Sequence, residues 1–284
     1  MRKDKPSRTA YKVALNIVTL GSKPGMEAIL PPGIVDATRK LLLASGVVGE
    51  RTAKWAQSKS AVSIYEAFDW MLPGQFEAFA HRKAFCERQV REGIDAGATQ
   101  ILVLGAGYDT MGWRLAPQFP QVLFFEIDHP ATAHLKSKGI AAMGGRDNLL
   151  QLSEDLGKRK MVEILEANKS WNTRAQTVIV AEGLLMYLPD EAVRDLFRQS
   201  DFITGAGSRI VFSYLPCDAQ DRLDVGRWTG LMLWLQKVAG EPWLWSIRPN
   251  QLVPFLAQTG WKHSLGQAQT PPKHGVEFFA VASK

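Results

Sequence analysis

The chain has 284 residues, 46% of them hydrophobic, and a formal net charge of +6. That is enough apolar material for one large core, and the basic residues are scattered rather than gathered into a stripe, which argues against a nucleic-acid partner. Its two cysteines, Cys86 and Cys217, are far apart and have no C-x-x-C or histidine-rich companion, so neither a disulfide framework nor a metal site is indicated.

The first twenty residues are basic and then partly apolar, but Lys12 and Asn16 interrupt what would be a signal-peptide core. No stretch approaches the roughly 20 apolar residues of a membrane span. A cytoplasmic protein without a membrane contact is expected. From Tyr11 to about Ala96 the apolar residues recur at three and four, with a break near Pro73-Gly74, so residues 1–97 are expected to form a helical elaboration.

After Gly97 the texture changes to short apolar runs separated by helical patterns: QILVLG, VLFFEID, NLLQLS, TVIVAEG and RIVFSYL. Each parallel crossover needs a covering helix, so this alternation predicts an α/β core over residues 98–284, with a mostly parallel sheet and helices on both faces. A Trp-rich insertion at about 215–247 and a helical stretch follow. Two last strand candidates, 261–267 and 276–283, are joined by a Pro-rich connection too short for a crossover helix. They are expected to run antiparallel at the sheet edge, completing seven strands.

The clearest chemical signal is Leu104-Gly105-Ala106-Gly107-Tyr108-Asp109-Thr110, an apolar strand entering a glycine turn that opens a helix. Gly105 and Gly107 let the backbone bend and approach a ligand closely, and the helix that follows presents unpaired N–H groups. The turn alone could bind a dinucleotide, but Thr110 stands where the third glycine of a G-x-G-x-x-G fingerprint belongs. A cofactor without a diphosphate is easier to credit. A tight strand-to-helix connection with no ligand is the plain alternative.

The second strand ends in Phe125-Glu126-Ile127-Asp128, where an acidic side chain can accept from both hydroxyls of a ribose. Glu126 and Asp128 share a face by alternation, and Asp128 is favoured because it lies nearer the carboxyl end of the strand. Glu182 follows TVIVA directly and would lie beside the first strand's loop, where a carboxylate can accept from an ammonium or stabilise a sulfonium. Solvated loop or capping carboxylates are the bland readings of both.

With these residues in place the chain resembles the leucine carboxyl methyltransferase family, including its bacterial branch of S-adenosylmethionine-dependent methyltransferases. The resemblance rests on S-R-T-A at Ser7 to Ala10, His81-Arg82-Lys83, L-G-A-G-Y-D-T from Leu104, Trp113-Arg114-Leu115, F-E-I-D-H-P from Phe125, A-E-G-L-L-M-Y-L-P from Ala181, and Gly240-Glu241-Pro242. It implies a Rossmann-like class I methyltransferase with S-adenosyl-L-methionine as cofactor. It further implies that Arg82 pairs with the cofactor's carboxylate, that the Gly105 backbone contacts its methionine part within the cofactor-binding turn Gly105-Ala106-Gly107, that Asp128 holds the ribose, that Asp155 and Leu156 bracket the adenine, and that Glu182 lines the same pocket. The acidic pair that the family carries after the aromatic residue of the Arg helix is altered here, since Cys86-Glu87 follows Phe85.

Methyl transfer from a sulfonium is an in-line displacement, so the protein has mainly to position the nucleophile and exclude water. An ionised carboxylate needs no general base, whereas a hydroxyl does, and His129, His134, His263 and His274 have no evident partners for that task. The expected acceptor is therefore a carboxylate of a small molecule or a peptide end, oriented by the hydroxyl of Tyr187 as the candidate catalytic group. Trp228, Trp234, Trp243 and Trp245 would either wall an apolar acceptor pocket or pack an inserted helix, and Arg222 and Arg227 would either attract an anion or stay solvated. The rival readings are a nicotinamide-dependent oxidoreductase, a catalytically silent cofactor-binding module, and an RNA-modifying enzyme.

Overall fold

The computed structural model describes residues 6–70, 72–226, 228–264 and 275–284. Five helices precede the first strand: α1 (Arg8–Leu20), α2 (Ile34–Ala44), α3 (Glu50–Ala56), α4 (Lys59–Ala67) and α5 (Gln75–Asp95). Local chemistry sets their starts. The Ser7 hydroxyl accepts the Ala10 N–H at 3.1 Å and the Ser58 hydroxyl accepts the Ala61 N–H at 3.2 Å, each satisfying a donor that the helix itself leaves unpaired. α1 buries Leu15, Ile17, Val18 and Leu20, and it packs on α2, α3 and α5.

The core then alternates: β1 (Gln100–Leu104), α6 (Met111–Leu115), β2 (Leu123–Asp128), α7 (Pro130–Ala142), β3 (Leu149–Ser153), α8 (Met161–Glu166), β4 (Thr177–Ala181), α9 (Asp190–Phe202) and β5 (Arg209–Tyr214). After these come α10 (Thr229–Ala239), α11 (Leu252–Gln258), β6 (Lys262–His263) and β7 (Phe278–Ser283). The seven strands are ordered β3-β2-β1-β4-β5-β7-β6, with the first five parallel. β1 and β4 are buried along their whole length, as central strands covered on both faces must be. Alternation divides their side chains: Leu102, Leu104 and Ile179 join the core of α8, α9 and α11, while Ile101, Val103 and Val178 join that of α5 and α6.

The expected class I methyltransferase architecture, with its antiparallel ending, is therefore present. At that ending β7 lies between β5 and β6, antiparallel to both, with Tyr214 opposite Phe278 and Arg209 opposite Ser283. Of the strand expected at 261–267, Lys262 and His263 pair with β7, and residues 265–267 lie outside the described residues, as do Arg227 and His274. Among the described residues no helix is long and apolar enough to cross a membrane.

Chain order reverses at β1, which has β2 on one side and β4 on the other. Loops leaving these neighbours at their carboxyl ends diverge and leave a crevice, the usual ligand position in such sheets.

Candidate functional site

A cavity of about 340 Å³ occupies that crevice, roofed by α1 and lined by the loops after β1, β2 and β4 together with α5, α10 and the segment leading into β7. The glycine turn forms one wall. Gly105 and Gly107 have φ of +63° and +48°, and a Cβ on Gly107 would meet the Cβ of Ala10 on α1 at 3.1 Å, so the turn and the roof pack closely there. The N–H groups of Gly105 and Ala106 donate to the carbonyl of Ile127 at 2.9 and 3.3 Å, tying the turn to the end of β2.

Asp128, at the end of β2, lines the cavity. One of its oxygens accepts the Gly107 N–H and the other accepts the His129 N–H at 2.6 Å. Burial raises its pKa above the usual carboxylate value, and those two donors work against the rise. Glu126, the other acidic residue of this strand, is committed elsewhere: it is buried 2.8 Å from Lys136 Nζ and accepts from Gln151 at 3.2 Å.

α5 delivers Arg82 and Lys83 to the opposite wall. The buried Arg82 guanidinium lies 4.9 Å from the Phe79 ring centroid, donates from Nε to Glu182 at 2.8 Å, and donates from Nη1 to Glu277. Lys83 Nζ pairs with Asp109 and lies 2.9 and 3.1 Å from the two oxygens of Glu182. Burial opposes both cations, yet the carboxylates of Glu277 and Glu182 around Arg82, and of Asp109 and Glu182 around Lys83, hold both pKa values above normal. Burial likewise opposes the Asp109 charge, and Lys83 and Lys136 outweigh it, so its pKa is lowered. Among the described residues five carboxylates line the cavity, adding Asp128 and Glu241 to Asp109, Glu182 and Glu277.

Tyr187, in the short 3-10 turn Leu185–Tyr187, also lines the cavity, and burial raises its pKa. Above it, Glu241 of the insertion accepts the backbone N–H groups of Arg8 and Thr9 and the hydroxyls of Ser7 and Thr9. The insertion's tryptophans divide between the two readings. Trp243 lines the cavity. Trp245 is core, with its indole N–H on Asp190 at 3.0 Å; Trp228 packs edge-on against Trp70; and Trp234 is exposed.

Arg82, Gly105, Ala106, Gly107, Asp128, Glu182 and Tyr187 thus meet around one cavity. Asp155 and Leu156 are not among its lining: Asp155 accepts the Gly157 N–H at 2.9 Å and lies 3.7 Å from His129 Nε2, while Leu156 packs on the core. Among the lining residues not singled out by sequence are four charged ones that pair within the site. Lys83, Asp109 and Glu241 stand inside the quoted motifs, whereas Glu277 carries no motif signal of its own.

The family model described as leucine carboxyl methyltransferase matches residues 27–201, which include Arg82, the glycine turn, Asp128, Asp155, Leu156, Glu182 and Tyr187. The chain belongs to the leucine carboxyl methyltransferase family. Relatives within reach of sequence comparison include a protein of Mycobacterium avium (strain 104), provisionally named an S-adenosyl-L-methionine-dependent methyltransferase. It is 28% identical over 225 residues, covering 76% of this chain and 71% of that protein. A like-named protein of Mycolicibacterium paratuberculosis is 25% identical over the same length and coverage. Among solved structures, a provisionally described methyltransferase of Thermobifida fusca matches with a TM-score of 0.60 at 16% identity, over 92% of this chain and 97% of that one. PigF with SAH matches with a TM-score of 0.51 at 13% identity, over 76% of this chain and 62% of that one. At such identities the structural likeness is one of fold. Glu241 and Glu277 of this leucine carboxyl methyltransferase family member fall beyond the matched segment.

Proposed function

We propose that this enzyme transfers the methyl group of S-adenosyl-L-methionine to an oxygen of its acceptor, and that the acceptor oxygen belongs to a carboxylate of a small molecule or a peptide end. The observation that carries this reading is the convergence of Arg82, the Gly105–Gly107 turn and Asp128 on one cavity whose lining carboxylates outnumber its buried cations. A sulfonium-bearing ligand suits that balance. The diphosphate of a nicotinamide cofactor does not, because its charges would face five lining carboxylates, whereas the amino-acid end of a sulfonium cofactor is itself neutral overall.

The residues fit the cofactor. The Gly105–Gly107 turn bares its backbone to the cavity, and Asp128 stands in the crevice at the strand end where ribose hydroxyls are held. S-adenosyl-L-methionine supplies, when bound, a methyl carbon made electrophilic by its sulfonium. Arg82 takes its carboxylate, the turn contacts its methionine part, Asp128 accepts from its ribose hydroxyls, and Glu182 holds Arg82 and Lys83 in place. Asp155 and Leu156 are assigned to the adenine by resemblance alone. The relatives' names agree with this cofactor.

For the acceptor, Arg8 and Lys12 lie one turn apart on α1, line the cavity from its exposed side, and have no ion pair among the described residues. They attract an anion toward Tyr187, whose hydroxyl orients it. Incubation with methyl-labelled cofactor and a library of carboxylic acids and phenols tests this. A methyl ester releases its label as volatile methanol in mild alkali; a product whose label survives alkali is an aryl ether and overturns the carboxylate assignment.

A further inference from the structure

Two carboxylates grip Arg82, and they differ in what they have left to give. Both oxygens of Glu182 are engaged: Oε1 accepts from Arg82 at 2.8 Å and lies 2.9 Å from Lys83 Nζ, and Oε2 accepts from Lys83 at 3.1 Å. Glu277 has one oxygen on Arg82, while its Oε2 is buried with no hydrogen-bond partner among the described residues. The residue is 8% exposed and lines the cavity. An unpaired carboxylate oxygen at that depth is costly, and a donor from a ligand removes the cost.

The fold explains how Glu277 reaches this point. β7 runs against β5 and begins where β5 ends, Phe278 lying opposite Tyr214, so the residue just before β7 arrives at the same end of the sheet as the loops after the parallel strands. An α-amino acid carries its ammonium and its carboxylate on one carbon, so its receptor needs a cation and an anion side by side. Arg82 and Glu277 are such a pair, each with capacity to spare once the ligand arrives.

We infer that Glu277 Oε2 holds the ammonium of the cofactor's amino-acid end, beside Arg82, which holds its carboxylate. This rests on the S-adenosyl-L-methionine reading above and assigns the ammonium to a residue outside the segment that the family model matches. Glu277 is then a binding residue and takes no part in bond making. Oxidation, proton transfer and the methyl group are not involved.

Calorimetric titration with S-adenosylhomocysteine and with its deaminated analogue, 5′-deoxy-5′-(3-carboxypropylthio)adenosine, tests the assignment. One charge-assisted hydrogen bond is at stake, so the full chain should bind the analogue about 10- to 100-fold more weakly. In Glu277→Gln that ratio should shrink to about threefold or less, and in Glu182→Gln it should persist. A misplaced Arg82 would weaken both ligands together and leave their ratio intact. Glu277→Asp, which withdraws the oxygen by one methylene, should give the intermediate ratio and serves if the glutamine variant does not fold. A ratio unchanged from wild type in both Glu277 variants overturns the inference. Failure of the unsubstituted protein to bind S-adenosylhomocysteine at all overturns the cofactor reading itself, and the inference with it.

Discussion

Glu241 accepts the backbone N–H of Thr9 at 3.1 Å and that of Arg8 at 3.2 Å, so a carboxylate from the insertion closes the amino end of the first helix, more than 230 positions away. The first turn of a helix has unpaired donors and a partial positive charge, and an anion there satisfies both. Because α1 roofs the cavity, the contact ties the insertion to that roof.

Glu241→Gln keeps the shape but removes the charge. We expect it to lower stability by about 1–2 kcal/mol. Hydrogen exchange of the α1 amides should accelerate while that of β1 and β4 stays unchanged. Equal acceleration throughout would mean that Glu241 supports the whole fold rather than the roof.

Lys83 and Asp109 give a pH signature. The Asp109 pKa is lowered from 3.8, so its contribution is present above that value and is lost as pH falls through the lower folded value. The Lys83 pKa is raised from 10.5, so its contribution is present below 10.5 and is lost as pH rises through the higher folded value. Lys83→Met leaves the largely buried Asp109 without its cation and Glu182 with Arg82 alone, and should cost about 3 kcal/mol or more at neutral pH. Adding Asp109→Asn should recover part of that loss, read by urea denaturation. Additive losses would show that the pair is not coupled.

Gly107→Ala forces a side chain at φ +48° into contact with Ala10. The expected result is a folded protein whose affinity for S-adenosylhomocysteine falls at least about tenfold, since both strain and the displaced roof oppose the ligand. Wild-type affinity would mean that the turn does not touch it.

Thermal unfolding should shift upward with S-adenosylhomocysteine and not with reduced nicotinamide cofactors, because preferential binding to the native state raises stability. Asp128→Ala should abolish the shift. A retained shift would take the ribose role away from Asp128.

Tyr187→Phe removes only a hydroxyl. Turnover on an identified acceptor should fall with little change in cofactor affinity; loss of affinity instead would place the residue on the cofactor.

The central sheet was legible because its signals are local: each parallel strand is a run of apolar residues, and the glycine turn and Asp128 lie on adjacent strands about twenty residues apart, as such cofactor sites require. Glu182 and Tyr187 were reached through the motif that follows β4, and Arg82 through a short motif within α5. Long-range partners were not legible in this way. Glu277 meets Arg82 across 195 positions, and a single Glu before an apolar strand looks like any solvated strand entry. The fates of the four tryptophans were open for a related reason. A helix such as α10, apolar on several faces, does not announce from spacing which indole meets the ligand and which meets the core.

The inverted last strand has one more consequence. Every other cavity-lining segment of the sheet is a strand-to-helix connection, and altering it disturbs the helix that it starts. Residues 275–277 start no helix; they only feed a strand held on both edges by β5 and β6. A substitution at Val276 can therefore reshape the crevice without altering the length of any crossover, whereas Gly275, whose Cβ would lie 2.4 Å from that of Ala78, and Glu277, which pairs with Arg82, are fixed.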